Sequence, residues 1–277
     1  MLKIGSHVKM NAPDYVLGSV NEALSYDATA LMLYTGAPQN SKRVPIGQLK
    51  IDEAVKTWTD KGYQLDSVVI HAPYLINLAN TVKQETFDAS LEILQNEIDR
   101  VAAIGGKYLV LHPGSTVGAP HDVALNSIVN GLNSMDTHGV TICLETMAGK
   151  GSETGYLFSQ IQTIIEASDL DLAVCLDTCH IHDAGYDLSK PDEVLAEFDR
   201  VIGLDKLKVI HVNDSKNVRG SRKDRHANIG EGEIGYQNIY NFVHHPLLEN
   251  KIFILETPYK DDKPPYKEEI EMLRATL

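Results

Sequence analysis

Residues able to bind metals recur in this chain at the ends of apolar runs. Val68-Val69-Ile70 is followed by His71, Leu109-Val110-Leu111 by His112, and Ile142-Cys143-Leu144 by Glu145. Farther on come Cys175-Leu176-Asp177-Thr178-Cys179-His180, Val209-Ile210-His211 and Ile254-Leu255-Glu256. Imidazole and carboxylate together suit zinc, with manganese or iron as alternatives. Three imidazoles and three carboxylates crowded into one cleft would lose solvation and repel their like, unless divalent cations compensate. Two further pieces enlarge the set. His180 follows Asp177 where the chain leaves its apolar run, and Asp224-Arg225-His226 offers alternate residues that can chelate from one extended face. A lone His or carboxylate is ordinarily hydrogen-bonded or solvated. Six successive runs ending in the same way predict a polynuclear metal site.

Such a site needs a scaffold that gathers strand ends. Runs rich in Val, Ile and Leu recur at Leu2–Val8, Ala30–Tyr34, Ser67–His71, Tyr108–His112, Thr141–Glu145, Leu172–Asp177, Lys208–Val212 and Ile252–Glu256. Each is followed by room for a helix, which is the pattern of a (β/α)8 TIM barrel with its site at the C-terminal ends of the strands. A single catalytic domain over residues 1–277 is expected. Two intervals show the helical period. After a capping box at Thr81-Val82-Lys83-Gln84, one face carries Phe87, Leu91, Leu94, Ile98 and Val101. After Asp122, Leu125, Ile128, Val129, Leu132 and Met135 repeat the pattern, with Gly139 as the stop. Pro38, Pro45 and Gly47 predict a long loop before Ile51.

Nothing in the chain reaches membrane-spanning length, and MLKIGSHVKM lacks the apolar stretch of a signal peptide. The three cysteines, Cys143, Cys175 and Cys179, lie in or beside apolar runs, and their odd count argues against a disulfide framework. These features predict a cytoplasmic protein with no membrane partner. Among the other histidines, His7 ends the first run and faces the site, as support for the ligands or as plain packing. His121, His138, His244 and His245 fall near helix ends and read as surface or capping residues, and His182 as an additional polar contact. A formal net charge of −13 has the wrong sign for a nucleic-acid partner and, taken alone, favours a small-molecule enzyme.

Several phrases nevertheless resemble one family. L-D-T-C-H at 176–180, H-V-N-D-S-K at 211–216, D-R-H-A-N-I-G-E-G at 224–232 and H-A-P-Y-L-I-N-L at 71–78 are similar to the endonuclease IV family of DNA-repair enzymes, over essentially the whole chain. The resemblance implies three divalent ions, most simply Zn2+. His71, His112 and Glu145 would hold one; Glu145 would bridge to a second, also held by Asp177, His211 and Glu256; His180, Asp224 and His226 would hold the third. It implies hydrolysis 5′ to an abasic site in duplex DNA, leaving a 3′-hydroxyl and a 5′-deoxyribose phosphate, with Glu145 as the catalytic carboxylate orienting the attacking water. No obligate protein partner is implied, and a monomer is expected.

The same resemblance assigns DNA contact to Tyr74 and Leu75, an apolar wedge for the duplex. Where some members present an Arg after the second strand, this chain has Thr35-Gly36-Ala37-Pro38-Gln39, with Gln39 or the later Arg43 as substitutes. The charge objection also softens. Three divalent ions would offset about six negative charges, all at one end. Residues 215–225 carry Lys216, Arg219, Arg222, Lys223 and Arg225, a basic loop beside the ligands that could bind phosphates. The rival is a divalent-metal sugar isomerase or epimerase on the same barrel, using Glu145, Asp177, His211 and Glu256. It leaves His180 with Asp224-Arg225-His226, and the loop at Tyr74, unexplained.

Overall fold

A computed structural model describes residues 2–275. The chain runs through β1 (Lys3–His7), β2 (Ala30–Leu33), β3 (Val68–His71), β4 (Tyr108–Leu111), β5 (Thr141–Glu145), β6 (Ala173–Asp177) and β7 (Leu207–Val212). A short antiparallel pair follows, β8 (Asp214–Ser215) with β9 (His226–Ala227), and then β10 (Ile252–Leu255). The seven long strands and β10 close a parallel barrel in the order β1-β10-β7-β6-β5-β4-β3-β2. The intervals carry α1 (Tyr15–Ser25), α2 (Ile51–Thr59), α3 (Gln84–Ile104), α4 (His121–Asn133), α5 (Phe158–Ala167), α6 (Thr178–Ala184), α7 (Pro191–Val201) and α8 (Tyr236–Val243), with α9 (Tyr266–Arg274) last. The eight-stranded barrel is therefore the expected one. No helix among the described residues is long and apolar enough to cross a membrane.

Strand alternation explains how the barrel both packs and presents chemistry. Side chains two apart share a face. Val69, Val110, Cys143, Cys175, Val209 and Ile254 belong to a buried cluster separate from the main core, filling the barrel interior. Two residues on, the same parity gives His71, His112, Glu145, Asp177, His211 and Glu256. The polar layer is thus the apolar interior continued by one step. Gly5 in β1 lets the first two strands approach, because a Cβ there would overlap the Ala30 carbonyl oxygen. Outside the barrel, Leu94, Ile98 and Val101 of α3 are fully buried. Each stabilises by roughly 1.5–3 kcal/mol relative to exposure.

Two local expectations need correction. Thr81 does not cap α3: Lys83 precedes the helix without a side-chain cap, and Asn80 instead accepts from the Val82 and Lys83 N–H groups at 3.0 and 3.1 Å. Asn80 wins because its short amide reaches its own following backbone. Gly139 does not stop α4, which ends at Asn133 with Ser134 as C-cap. Its φ of 82° instead serves the turn entering β5. Helix α6 starts directly from β6. Asp177 is its N-cap, accepting from the His180 N–H at 2.9 Å, so His180 lies in the first turn of a helix.

Candidate metal centre

Glu145, at the end of β5 and 1% exposed, is the hub of the polar layer. Its Oε2 lies 3.0 Å from Nε2 of both His71 and His112. Its Oε1 lies 3.0 Å from Nδ1 of His211 and 3.4 Å from Nδ1 of His180. Nδ1 of His211 is also 3.0 Å from Glu256 Oε2 and 3.8 Å from Asp177 Oδ2. Donor atoms of Glu145, Asp177, His211 and Glu256 all fall within 4.8 Å of one another, as do those of His71, Glu145 and His211. His112 reaches the group through Glu145, with its ring edge-on to His71 at 5.1 Å.

The second cluster lies beside the first. Donor atoms of His180, Asp224 and His226 lie within 4.8 Å of one another. His180 Nε2 is 3.2 Å and His226 Nε2 3.5 Å from Asp224 Oδ1. Cys179 lies within the same range of Asp177 and His226. Burial drives its thiol well above the usual range, and Asp177 adds to this, which suits a thiol that packs rather than one that binds a metal.

Backbone contacts settle which imidazole nitrogens face the carboxylates as acceptors. A carbonyl only accepts, so a ring nitrogen beside one must carry the proton. His71 Nδ1 lies 2.7 Å from the Ala72 carbonyl, His180 Nδ1 2.8 Å from that of Thr146, and His226 Nδ1 3.3 Å from that of Glu256. In the neutral rings the Nε2 lone pairs then point into the carboxylate cluster. Nε2 of His226 is buried and, among the described residues, makes no hydrogen bond. Lone pairs facing carboxylates call for a cation between them, and this donor set fits divalent ions.

The electrostatics agree. Burial alone would raise the Glu145 carboxyl, but His211 and His112 hold it well below the usual carboxylate range. Burial likewise opposes charge on His211, yet Cys175, Glu256 and Glu145 drive it well above its ordinary value. His180 behaves in the same way beside Asp177 and Asp224. Asp224, against the pull of burial, is lowered to about 2 by His180 and His226. Ions entering this cluster would displace those imidazole protons.

The rim carries the residues expected to meet a larger partner. Tyr74 and Leu75 are 51% and 38% exposed, whereas Ile76 and Leu78 of the same loop are buried. The Tyr74 ring lies 6.5 Å from that of His112. Lys216, Arg219, Arg222, Lys223 and Arg225 are all exposed, but the loop is not free. Arg219 pairs with Asp187, Arg222 lies 4.7 Å over the Tyr156 ring, and Arg225 donates to the Asp224 carbonyl at 3.1 Å. Gln39 is exposed in the loop after β2. Arg43 is not a substitute surface contact. Its side chain is buried, 2.5 Å from Glu97, and it also donates to the Asn40 and Lys42 carbonyls, which makes it a strut of its own loop.

Four other histidines make contacts that hold the fold. His7 sets its ring edge-on to Tyr34, which in turn contacts His71. His182 lies 3.0 Å from the Asn217 carbonyl, His244 bonds the Leu273 carbonyl, and His245 pairs with Asp192. Asn213 is a residue the motif reading passed over. Its amide donates to Asp177 Oδ2 at 2.8 Å, and its oxygen accepts from the Glu256 N–H at 3.1 Å, so it spans two of the acidic strand ends. Its place two residues beyond His211, on the same face, was the available signal.

Known proteins agree with this architecture. Residues 20–276 match the family model described as a xylose isomerase-like TIM barrel. The solved endonuclease IV from Thermus thermophilus superposes with a TM-score of 0.82 at 30% identity, covering 98% of this chain and 96% of that one. A D-tagatose 3-epimerase-like protein, at 16% identity and TM-score 0.71 over 98% and 94% of the two chains, shares the fold. A protein of Bacillus cytotoxicus named "Probable endonuclease 4" is 52% identical over 285 aligned positions, spanning 99% of this chain and 95% of that protein. That identity along both full lengths, together with the closed barrel, shows that the chain belongs to the endonuclease 4 family.

Proposed function

We propose that this chain is a metal-dependent DNA-repair endonuclease, acting as a monomer. It cleaves the duplex backbone 5′ to abasic sites, leaving a 3′-hydroxyl and a 5′-deoxyribose phosphate. The observation that carries the reading is the convergence of nine His, Asp and Glu side chains at the barrel mouth in a chain whose full-length relatives are named endonuclease 4.

His71, His112 and Glu145 would hold one divalent ion; Glu145, Asp177, His211 and Glu256 a second; His180, Asp224 and His226 a third. Divalent ions bound there, most simply Zn2+ with Mn2+ or Fe2+ as alternatives, supply Lewis acidity toward a phosphodiester, so no covalent nucleophile is needed. Glu145 keeps its charge through the imidazoles around it and can orient a water toward phosphorus. Tyr74 and Leu75, exposed at the rim, would fill the gap left by an extruded abasic nucleotide. The basic loop from Lys216 to Arg225 would hold flanking phosphates.

A sugar isomerase or epimerase would use the Glu145, Asp177, His211 and Glu256 group. It gives no role to the second cluster or to the exposed Tyr74 and Leu75. The deciding experiment incubates the protein with duplex containing one abasic site, analyses the product ends, and measures bound ions on the same preparation. Incision 5′ to the lesion with close to three ions per chain supports the proposal. An uncut duplex, alongside turnover of a ketose, would replace it with the epimerase reading.

A further inference from the structure

We propose that Asp183, in α6, is a positioning residue that fixes the backbone of the Lys216–Arg225 loop and so aims Asp224 at His180 and His226. The inference rests on reading those three side chains as a metal site. Asp183 is fully buried. Among the described residues, no cationic side chain pairs with it. Its Oδ1 accepts from the Ser215 hydroxyl at 2.6 Å. Its Oδ2 accepts from the Asp224 N–H at 2.9 Å, the Lys223 N–H at 3.3 Å and the Asn217 amide at 3.4 Å. One carboxylate therefore grips both ends of the loop, at Ser215 in β8 and at Asp224 just before β9. A buried carboxylate needs such donors, and charged acceptors make the stronger hydrogen bonds.

The grip falls on the strained stretch of backbone. Arg222 and Asp224 have φ of 53° and 58°, in the left-handed region where a Cβ crowds the backbone carbonyls. Such conformations persist only where the surroundings over-determine them. Besides the two N–H groups taken by Oδ2, the Asp183 carbonyl accepts from the Arg222 N–H and the His182 carbonyl from the Gly220 N–H, each at 3.0 Å. Held this way, Asp224 Oδ1 comes within 3.2 Å of His180 and 3.5 Å of His226. Without the Asp183 carboxylate, the 223 and 224 N–H groups lose their acceptor at the strained position, and the Asp224 side chain leaves the cluster while Glu145 and its imidazoles stay in place. The same hold presents Arg222 and Lys223 at the mouth.

The test compares the parent with Asp183→Ala and Asp183→Asn in the full chain. It measures ions per chain, resistance of each ion to chelator, hydrogen exchange over residues 216–225, and kcat and KM on abasic duplex. Asp183→Ala is expected to lose about one ion per chain, expose the loop to exchange and lower kcat by about tenfold or more. Asp183→Asn can still accept from the 223 and 224 N–H groups, so it should keep the third ion with about tenfold weaker hold. A folded Asp183→Ala protein with parental ion content and loop exchange overturns the proposal. Should Asp183→Ala not fold, Asp183→Asn decides, and a third ion as chelator-resistant as the parent's overturns it. A parent holding fewer than three ions overturns the metal reading instead, and loop exchange then still tests the hold of Asp183 on its own.

Discussion

At the scale of single residues, the centre depends on one carboxylate used from both sides. Each oxygen of Glu145 has two imidazole nitrogens within 3.4 Å, so four rings converge on this one carboxylate. Glu145→Gln keeps the shape and removes the charge that pairs with those rings. The protein should stay folded while incision slows by roughly three orders of magnitude or more. Turnover near the parental rate with full ion content would remove Glu145 from the chemistry. Tyr74 and Leu75 act differently, because they are exposed beside buried neighbours. Replacing both by Ala should leave ion content unchanged and weaken productive DNA binding by about 1–3 kcal/mol, as for loss of a stacking platform. The loss should shrink on a duplex already distorted by mismatches around the lesion, where unstacking costs less. Equal losses on rigid and distorted duplexes would mean that the pair merely packs its loop.

At the scale of elements, α3 does more than cover the barrel. Its Glu97 and Arg100 are buried and reach across to the loop after β2. Glu97 accepts from the Thr35 hydroxyl at 2.6 Å and from Arg43 at 2.5 Å, while Arg100 donates to the Thr35 hydroxyl and to the Thr35 and Val44 carbonyls. Glu97→Ala would leave the buried Arg43 guanidinium without its carboxylate, a loss of roughly 3–5 kcal/mol. A denaturation midpoint close to the parent's would show that the loop holds its shape unaided. This network also shows where sequence reading stops. The eight strands and six of their polar ends were legible because period-two apolar runs and the next residue in parity need no tertiary information. Asp224 and His226 were legible as alternate residues, although the helix that carries His180 was not. Arg43, Asn80 and Asp183 were not legible, because their partners are single atoms of residues distant in the chain or backbone groups that leave no pattern in side-chain spacing, whereas Asn213 shares the parity of His211 and could have been found.

For the whole molecule, the difficulty is a formal charge of −13 on a chain proposed to approach a polyanion. The positive groups would have to be concentrated where the duplex arrives, with the acidic excess elsewhere, since exposed charges beyond about 10 Å are largely screened in 0.1 M salt. The exposed cations of the 216–225 loop, beside the cluster, are placed for that. They are not equivalent. Arg219 is already paired with Asp187 and Arg222 rests on Tyr156, while the Lys223 ammonium forms no ion pair among the described residues. Replacing Arg219, Arg222 and Lys223 by Ala should therefore weaken binding to every duplex, with or without an abasic site. Because each phosphate held by a cation releases counterions, the slope of log affinity against log salt should flatten by up to about 0.9 for every phosphate the variant can no longer hold. Arg219 should account for the smallest share, since leaving Asp187 offsets part of what it gains on phosphate. Binding measured across a salt series for the triple and the three single variants reads this directly. An unchanged slope in the triple variant would place the duplex away from this loop, and the approach to DNA would then have to run through the opposite rim around Tyr74.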